Sequence, residues 1–572
     1  MTRFRIPNTV LAFFALLASV VYFYALDSKN APTIPDEGVY HHITRITAQS
    51  GHWLPLKSEL ANTRNTKPPM LFWQGMASTG WGSDWSRFAL RYPSVIYTLG
   101  TALMLFLLGR RYGDSRRGLI ACLTFLAFYN TYRYGRPFLT SGPETFWYFL
   151  PFFVLLMGSD RAFGSRWRVP LFLGVGIGVG LLYKSFTLLA PIGLALALWY
   201  GYQRKFSLRD FLREDSPKLA LLIIVALASF GLWFICDPEP GAIFREFVLG
   251  ENGGKFNAES GQSYWSQLIW GGQSIGALFL AIFSNTGVQA PLLLGLYWVT
   301  IRSRKSLLPQ EKLLWMLLIT FFVIFSLPSV RSGRYLLPVM PAIALLIAFR
   351  WEAISRGFFV ATLLFNALVI GVITWLSFHL QREAPETIVY AVWYWPLLIG
   401  VLLLALSGLL LSSITKEVTL IVGLMTLAIL AGFLRILDGP MGQFPEDVVH
   451  LLQTPEKRLG VPCDFTVKDE TYRFDLPGSD VYAYNQNAGL SRADLAHRYP
   501  YFIVNASVPD EGCEACTVIG QRFVVRSMQP GDEIKERIRT GKLFGLLIAK
   551  QYLVDATRVE RETSKIPAKE CR

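Results

Sequence analysis

The chain has 572 residues, 52% of them hydrophobic and only 17% charged, with a formal net charge of +14. Soluble domains average about 25% charged residues; the deficit here comes from long apolar runs, which exclude an ordinary soluble protein and read as a polytopic membrane protein with helical spans. The positive charge does not point to nucleic acid, because it falls in short connections such as Arg110-Arg111, Arg116-Arg117, Arg204-Lys205 and Arg302 to Lys305, the pattern of basic loops kept on the cytoplasmic side.

The first apolar run, Val10 to Leu26, follows Arg3 and Arg5 and is expected to be an uncleaved helix with a cytoplasmic amino terminus. Candidate spans then run over 8–26, 88–109, 117–133, 144–158, 169–183, 187–201, 218–236, 270–300, 313–328, 335–350, 357–378, 391–412 and 417–436, thirteen in all. Alternation places 27–87, 134–143, 237–269, 329–334, 379–390 and 437–572 outside, in agreement with the basic loops. Lys184 interrupts 169–201, which predicts two helices with the lysine at their outer turn.

Loop 27–87 is more than a linker. Asp36 suits the cap of a helix through His41, Thr44 and Ala48. Pro68-Pro69 then opens an aromatic, amphipathic stretch ending near Trp81. Two helices lying on the outer face are therefore expected to frame Asp36 and Lys67. After Leu437-Asp438-Gly439-Pro440, a turn-like exit, charged residues become common. Segments 501–505 and 523–526 read as strands and 543–553 as a further apolar piece. The chain thus divides into a membrane unit, 1–436, and a soluble α/β or mostly-β unit, 437–572. Four of six cysteines (Cys463, Cys513, Cys516, Cys571) lie in that tail; in an oxidising compartment Cys513-Glu514-Ala515-Cys516 suits a structural disulfide, within itself or with Cys463.

The residues suited to chemistry cluster in the outer loops. Asp36 and Glu37 read as a helix cap and a surface charge, or as a general base in a partly dry cleft. Lys67, held extended before two prolines, reads as an interfacial lysine or a phosphate ligand. Glu144, opening an apolar helix after Arg136, suits the helix dipole or a second acid. The run from Phe244 to Phe256, with Glu251, Asn252 and Lys255, reads as a mobile surface loop or a ligand-adjacent one. Arg331 and Arg334, with Tyr335, are basic residues on the outer side, against the topological trend, which favours phosphate binding over a topological role. His41, His42 and His52 lie near the acids, so a divalent metal is conceivable there; no other cofactor is indicated.

Five segments, in order, resemble one family: Asp36-Glu37 with Tyr40 and Gly51-His52-Trp53-Leu54; Lys67-Pro68-Pro69 with Phe72-Trp73; Tyr183-Lys184 with Pro191; Glu251-Asn252 with Lys255-Phe256; and Arg334-Tyr335-Leu336-Leu337-Pro338 with Pro341. They resemble the GT-C glycosyltransferases of the aminoarabinose transferase and protein O-mannosyltransferase type. The thirteen spans and soluble tail resemble the aminoarabinose transferases. The resemblance implies a bacterial inner-membrane enzyme with its site and tail in the periplasm. It would transfer a sugar, with inversion, from polyprenyl (undecaprenyl) phosphate to a lipid or glycan acceptor. It implies Asp36 as the catalytic carboxylate, with Glu37 and Glu144 as further acids. Lys67, Arg334, Tyr335 and Lys184 would serve the donor phosphate, and Tyr40, Glu251, Asn252 and Lys255 the substrates; Arg136 and Arg331, outside the matched motifs, are further substrate-binding candidates by their place in the outer loops. The family carries an aspartate at the start of the fourth helix where this chain has Ser141-Gly142; either Glu144 takes its place or the second acid is missing. Two other readings are a protein O-mannosyltransferase-like enzyme and a transporter of lipid-linked sugars. A transporter favours midplane charges and internal repeats, neither of which is visible here.

Overall fold

The computed structural model describes residues 6–29, 35–60, 63–256, 263–270, 273–383, 389–453, 457–463, 469–486, 488–508, 512–525, 539–540 and 544–560. Helix occupies most of the described residues of the expected apolar stretches, with 117–133 broken into two helices at 127–128. The first is α1 (Asn8–Phe23), followed by two short helices, α2 (Asp36–Gln49) and α3 (Met70–Ser78). Then come α4 (Arg87–Arg111), α5 (Ser115–Leu126), α6 (Tyr129–Gly135), α7 (Ser141–Gly164) and α8 (Arg168–Tyr183). The bundle continues with α9 (Phe186–Gln203), α10 (Leu208–Cys236), α11 (Ile275–Arg302), α12 (Pro309–Ser326) and α13 (Gly333–Arg350). It closes with α14 (Arg356–Glu383), α15 (Tyr394–Leu410) and α16 (Thr415–Leu437). Among the described residues, eight of these helices are long and apolar enough to cross a membrane, and α1, α8 and α15 are shorter apolar helices. Leu103 on α4 and Leu232 and Ile235 on α10 stay exposed, as lipid-facing positions do, while α16 and α13 form the buried centre.

Local chemistry explains the breaks. Ser86 and Asp114 cap α4 and α5 by accepting the backbone N–H groups of Ala89 and Arg117 at 3.1 and 2.8 Å. The two helices touch through glycine: a Cβ on Gly109 would lie 2.6 Å from the Cα of Gly118, so neither position has room for a side chain. Lys184 stands between α8 and α9, as its place in the apolar run predicts.

Two expectations are corrected. Asp36 is the first residue of α2 rather than its cap; Pro35 holds the cap position and no side chain caps the helix. The segment after α10 is not a loose loop. It coils through Pro240–Ile243, a π-helical stretch Phe244–Asn252 and a tighter turn Gly253–Phe256, with Phe247 fully buried against Trp233 and Phe230. That buried aromatic anchors a segment whose glycines suggested mobility.

Beyond α16 the chain builds a five-stranded sheet in the order β2-β1-β3-β5-β4. The strands are β1 (Arg458–Cys463), β2 (Asp480–Asn485), β3 (Tyr501–Asn505), β4 (Thr517–Val525) and β5 (Ile548–Asp555). β1 pairs parallel with β2 and β3, while β5 runs antiparallel to β3 and β4. Tyr501, Ile503 and Leu459 line one buried face and Phe502 and Val504 the other. The crossover from β1 to β2 carries α17 (Asp469–Asp475), which docks on α2. Cys513 and Cys516 are joined to each other; Cys571 lies outside the described residues.

Candidate active site

α2 and α3 both form in the segment between α1 and α4, and α2 is held from two sides. Glu37, 3% exposed, takes a two-pronged contact from Arg91 of α4 (Nε and Nη2, 2.8 and 2.9 Å) and the backbone N–H of Phe138 at 2.8 Å. The remaining Arg91 nitrogen donates to the carbonyls of Leu26 and Ser28. From the sheet side, the buried carboxylate of Glu470 on α17 receives Arg45 at 2.6 and 3.1 Å and Nδ1 of His42 at 2.7 Å. Phe474 packs against His41 and lies parallel to Trp85.

With α2 held, Asp36 faces the bundle end. Its Oδ2 accepts from Nη1 of Arg334 at 2.9 Å, and its side chain remains 40% exposed. On the other side stands a group of amines. Lys67 Nζ donates to Glu251 at 2.7 Å, Lys255 lies 3.3 Å from the same carboxylate oxygen, and Lys255 sits over the ring of Tyr335 at 5.8 Å. Lys184 contacts Glu144 at 3.2 Å and Thr140 at 3.3 Å. Asn252 ties this group together by accepting from Ser185 at 2.8 Å. Lys67 and Arg334 lie within electrostatic reach of Glu144, whose second oxygen is buried without a hydrogen-bond partner. Tyr40 is buried beside Asp36 and packs edge-on against Phe72.

Burial and neighbouring charges tune this group. Burial pushes the Lys255 ammonium down to about 8, opposed by Glu251. Burial likewise lowers Lys184, against the attraction of Glu144. Burial would raise the Glu251 carboxyl, but Lys67 and Lys255 outweigh it and hold it below its ordinary value. Beneath the amines opens a mostly apolar groove of about 380 Å³, walled by Phe186, Phe325 and Pro328 and roofed by Lys184, Lys255 and Tyr335.

Asp36, Lys67, Glu144, Lys184, Glu251, Asn252, Lys255, Arg334 and Tyr335 therefore converge from six separate segments. Glu37 is engaged by Arg91 as described. Arg136 is directed away from the group: it is 2% exposed, stacks on Tyr132 at 4.3 Å and donates to the carbonyls of Tyr22 and Tyr24. Arg331 donates to the carbonyls of Ser326 and Gln273 at 2.8 Å each. Sequence reasoning missed Arg91 and Glu470. A lone arginine inside an apolar run is a signal for the first; nothing in the tail singles out the second. Among the described residues, no group of three or more His, Cys, Asp and Glu side chains is arranged to hold a metal ion.

A bundle of apolar helices, eight of them long enough to cross a membrane among the described residues, marks a multi-pass membrane protein. Residues 66–233 match the family model of dolichyl-phosphate-mannose-protein mannosyltransferases. An undecaprenyl phosphate-alpha-4-amino-4-deoxy-L-arabinose arabinosyl transferase of Shewanella sediminis is 26% identical over 55% of each chain. An uncharacterized protein of Aquifex aeolicus is 27% identical over 66% of this chain and 81% of its own. The chain thus spans about half the length of the first curated transferase it matches, 55%. The crystal structure of ArnT from Cupriavidus metallidurans bound to undecaprenyl phosphate superposes with a TM-score of 0.63 at 17% identity, over 96% of this chain and 98% of that one. In sequence and fold the protein resembles the GT-C glycosyltransferases of the ArnT and protein mannosyltransferase type.

Proposed function

We propose that the protein is an inverting glycosyltransferase that moves a sugar from polyprenyl phosphate to a lipid or glycan acceptor. The reading places it in a bacterial inner membrane, with its site and its sheet domain in the periplasm. One observation carries it: Lys184 and Lys255 line an apolar groove, Lys67 joins Lys255 through the shared carboxylate of Glu251, and the part-exposed carboxylate of Asp36 lies within electrostatic reach of Tyr335 on the groove wall. A prenyl chain fits the groove and its phosphate fits the amines. Similarity to aminoarabinosyl transferases and to an undecaprenyl-phosphate-bound structure supports the same donor class.

In this mechanism Asp36, oriented by Arg334, accepts the proton of the acceptor hydroxyl as its oxygen attacks the anomeric carbon. The bond from that carbon to the phosphate oxygen breaks on the opposite side. Polyprenyl phosphate leaves with the electron pair, and its charge grows from one negative to two. Lys67, Lys255 and Tyr335 meet that growing charge, which is where electrostatic stabilisation is most effective. Glu144, paired with Lys184, takes the place of the family's aspartate by holding that lysine over the groove. Glu37 is a positioning residue for Asp36 through Arg91.

The test is sugar transfer by purified protein in nanodiscs, with donor lipid extracted from the native membrane and products read by mass spectrometry. Asp36→Asn is expected to lower turnover by about 10²- to 10⁴-fold, the usual worth of a general base, and Lys67→Ala to weaken donor use, both with unchanged thermal melting. Full activity in both variants would overturn the assignment.

A further inference from the structure

A second cavity, of about 340 Å³, is lined in part by Arg334 and lies between α6, α11 and the segment leading into α13. Its wall contains three guanidinium groups, Arg133, Arg331 and Arg334, and no carboxylate. Among the described residues Arg331 meets neutral carbonyls and the ring of Tyr264 but no carboxylate, and one of its terminal nitrogens is buried without a hydrogen-bond partner. Arg133 has no ion pair among the described residues, and its Nε is likewise buried and unpartnered. Only Arg334 has an acid, Asp36, which lies outside the cavity wall. Both Arg133 and Arg334 stack on Tyr134, at 5.1 and 5.9 Å, so one ring holds the two cations toward a shared space. Arg133 and Arg331, without an ion pair among the described residues and set beside a third cation, are costly to gather unless an anion completes them, and planar guanidinium forks match a phosphate-type oxyanion.

We infer that this cavity is an oxyanion subsite for the acceptor, which brings a phosphate-type group against Arg133 and Arg334 and so sets its nucleophile beside Asp36. The inference rests on the transfer reading for its role but not for its chemistry. Donor phosphate and acceptor anion then occupy separate sites, and Arg334 links the second to Asp36. Exchange of the two sites is prevented by shape: the first is a mostly apolar groove, the second a polar chamber.

The experiment uses the full-length protein in phosphatidylcholine nanodiscs saturated with undecaprenyl phosphate, and follows binding of inorganic phosphate by phosphorus NMR line broadening. Phosphate is expected to bind with the donor site filled. Arg133→Gln should weaken that binding at least tenfold while leaving undecaprenyl phosphate affinity intact, and Arg133→Lys should restore part of it; Lys67→Gln should do the reverse of Arg133→Gln. Loss of phosphate binding on adding undecaprenyl phosphate, or no effect of Arg133→Gln, overturns the subsite. Repeating the titration with phosphatidylglycerol in the disc identifies the source: displacement of phosphate supports a lipid-borne acceptor group, and no displacement supports a water-soluble one. Failure of undecaprenyl phosphate to bind at all would sink the donor reading while leaving the Arg133 result standing.

Discussion

Asp36 and Glu37 are neighbours in the chain with opposite surroundings. Glu37 is sealed between Arg91 and a backbone amide, whereas Asp36 meets one arginine and open space. A two-carboxylate motif therefore divides into a carboxylate that is held and one that is available, and the division follows from helix geometry: consecutive residues on α2 point about 100° apart, since an α-helix turns 3.6 residues per cycle. Lys255 offers a titration to check. Burial sets its ammonium near 8, so the charge is present below that pH and is lost as pH rises through it. Binding of undecaprenyl phosphate is expected to weaken above about pH 8 in the native protein, with Lys255→Gln binding more weakly and without that step. Superimposable pH profiles for the two proteins would remove Lys255 from the donor site.

At the scale of elements, α2 is a short helix in a poor position to stand alone, since isolated helices under about 12–15 residues are marginal in water. It is clamped between α4 through Glu37 and α17 through Glu470. The Glu470 carboxyl would rise on burial, yet His42, Arg45 and Arg473 hold it well below its ordinary value. Removing one partner of a buried ion pair typically costs about 3–5 kcal/mol. Glu470→Gln is accordingly expected to lower thermal stability and, because α2 carries Asp36, to lower kcat with little change in donor KM. Glu470→Asp should recover part of the rate. A fall in stability with kcat unchanged would make Glu470 purely structural. Element positions were largely legible in the sequence: long apolar runs locate helices, and Lys184 marks the turn between α8 and α9. The π-helical run Phe244–Asn252 was not, because glycine and charge there outweigh any local sign that Phe247 is buried.

For the whole molecule, the sheet domain is fastened to the bundle by charge as well as by Phe474. Asp475 bridges Arg87 of α4 at 3.0 Å and Arg522 of β4 at 2.7 Å. Burial would raise its carboxyl, but Arg522, Arg87 and Lys29 hold it at about 2. Its folded-state value lies below the unfolded one of about 3.9. The stability it contributes is therefore complete above about pH 4 and declines as pH falls toward 2. Melting temperature in detergent should drop over that window, and Asp475→Asn should lower it at neutral pH while flattening the acid drop. An unchanged acid slope in that variant would show that Asp475 does not fasten the two parts.

Hydropathy, basic loops and motif order are local properties of the chain, and they were enough to mark a multi-pass helical membrane protein and to nominate Asp36, Lys67, Lys184, Glu251 and Arg334. A run of apolar residues must cross or border lipid whatever its neighbours do. Which of those charges face one another is a property of distance in space, between segments up to 298 residues apart in the chain for Asp36 and Arg334. Only the tertiary structure could turn Arg136 and Glu37 inward to bind the bundle together, bring Glu470 from the tail onto α2, and leave Arg133 facing a cavity without a counter-charge. Buried charges must find partners, and the partner is chosen by packing rather than by position in sequence.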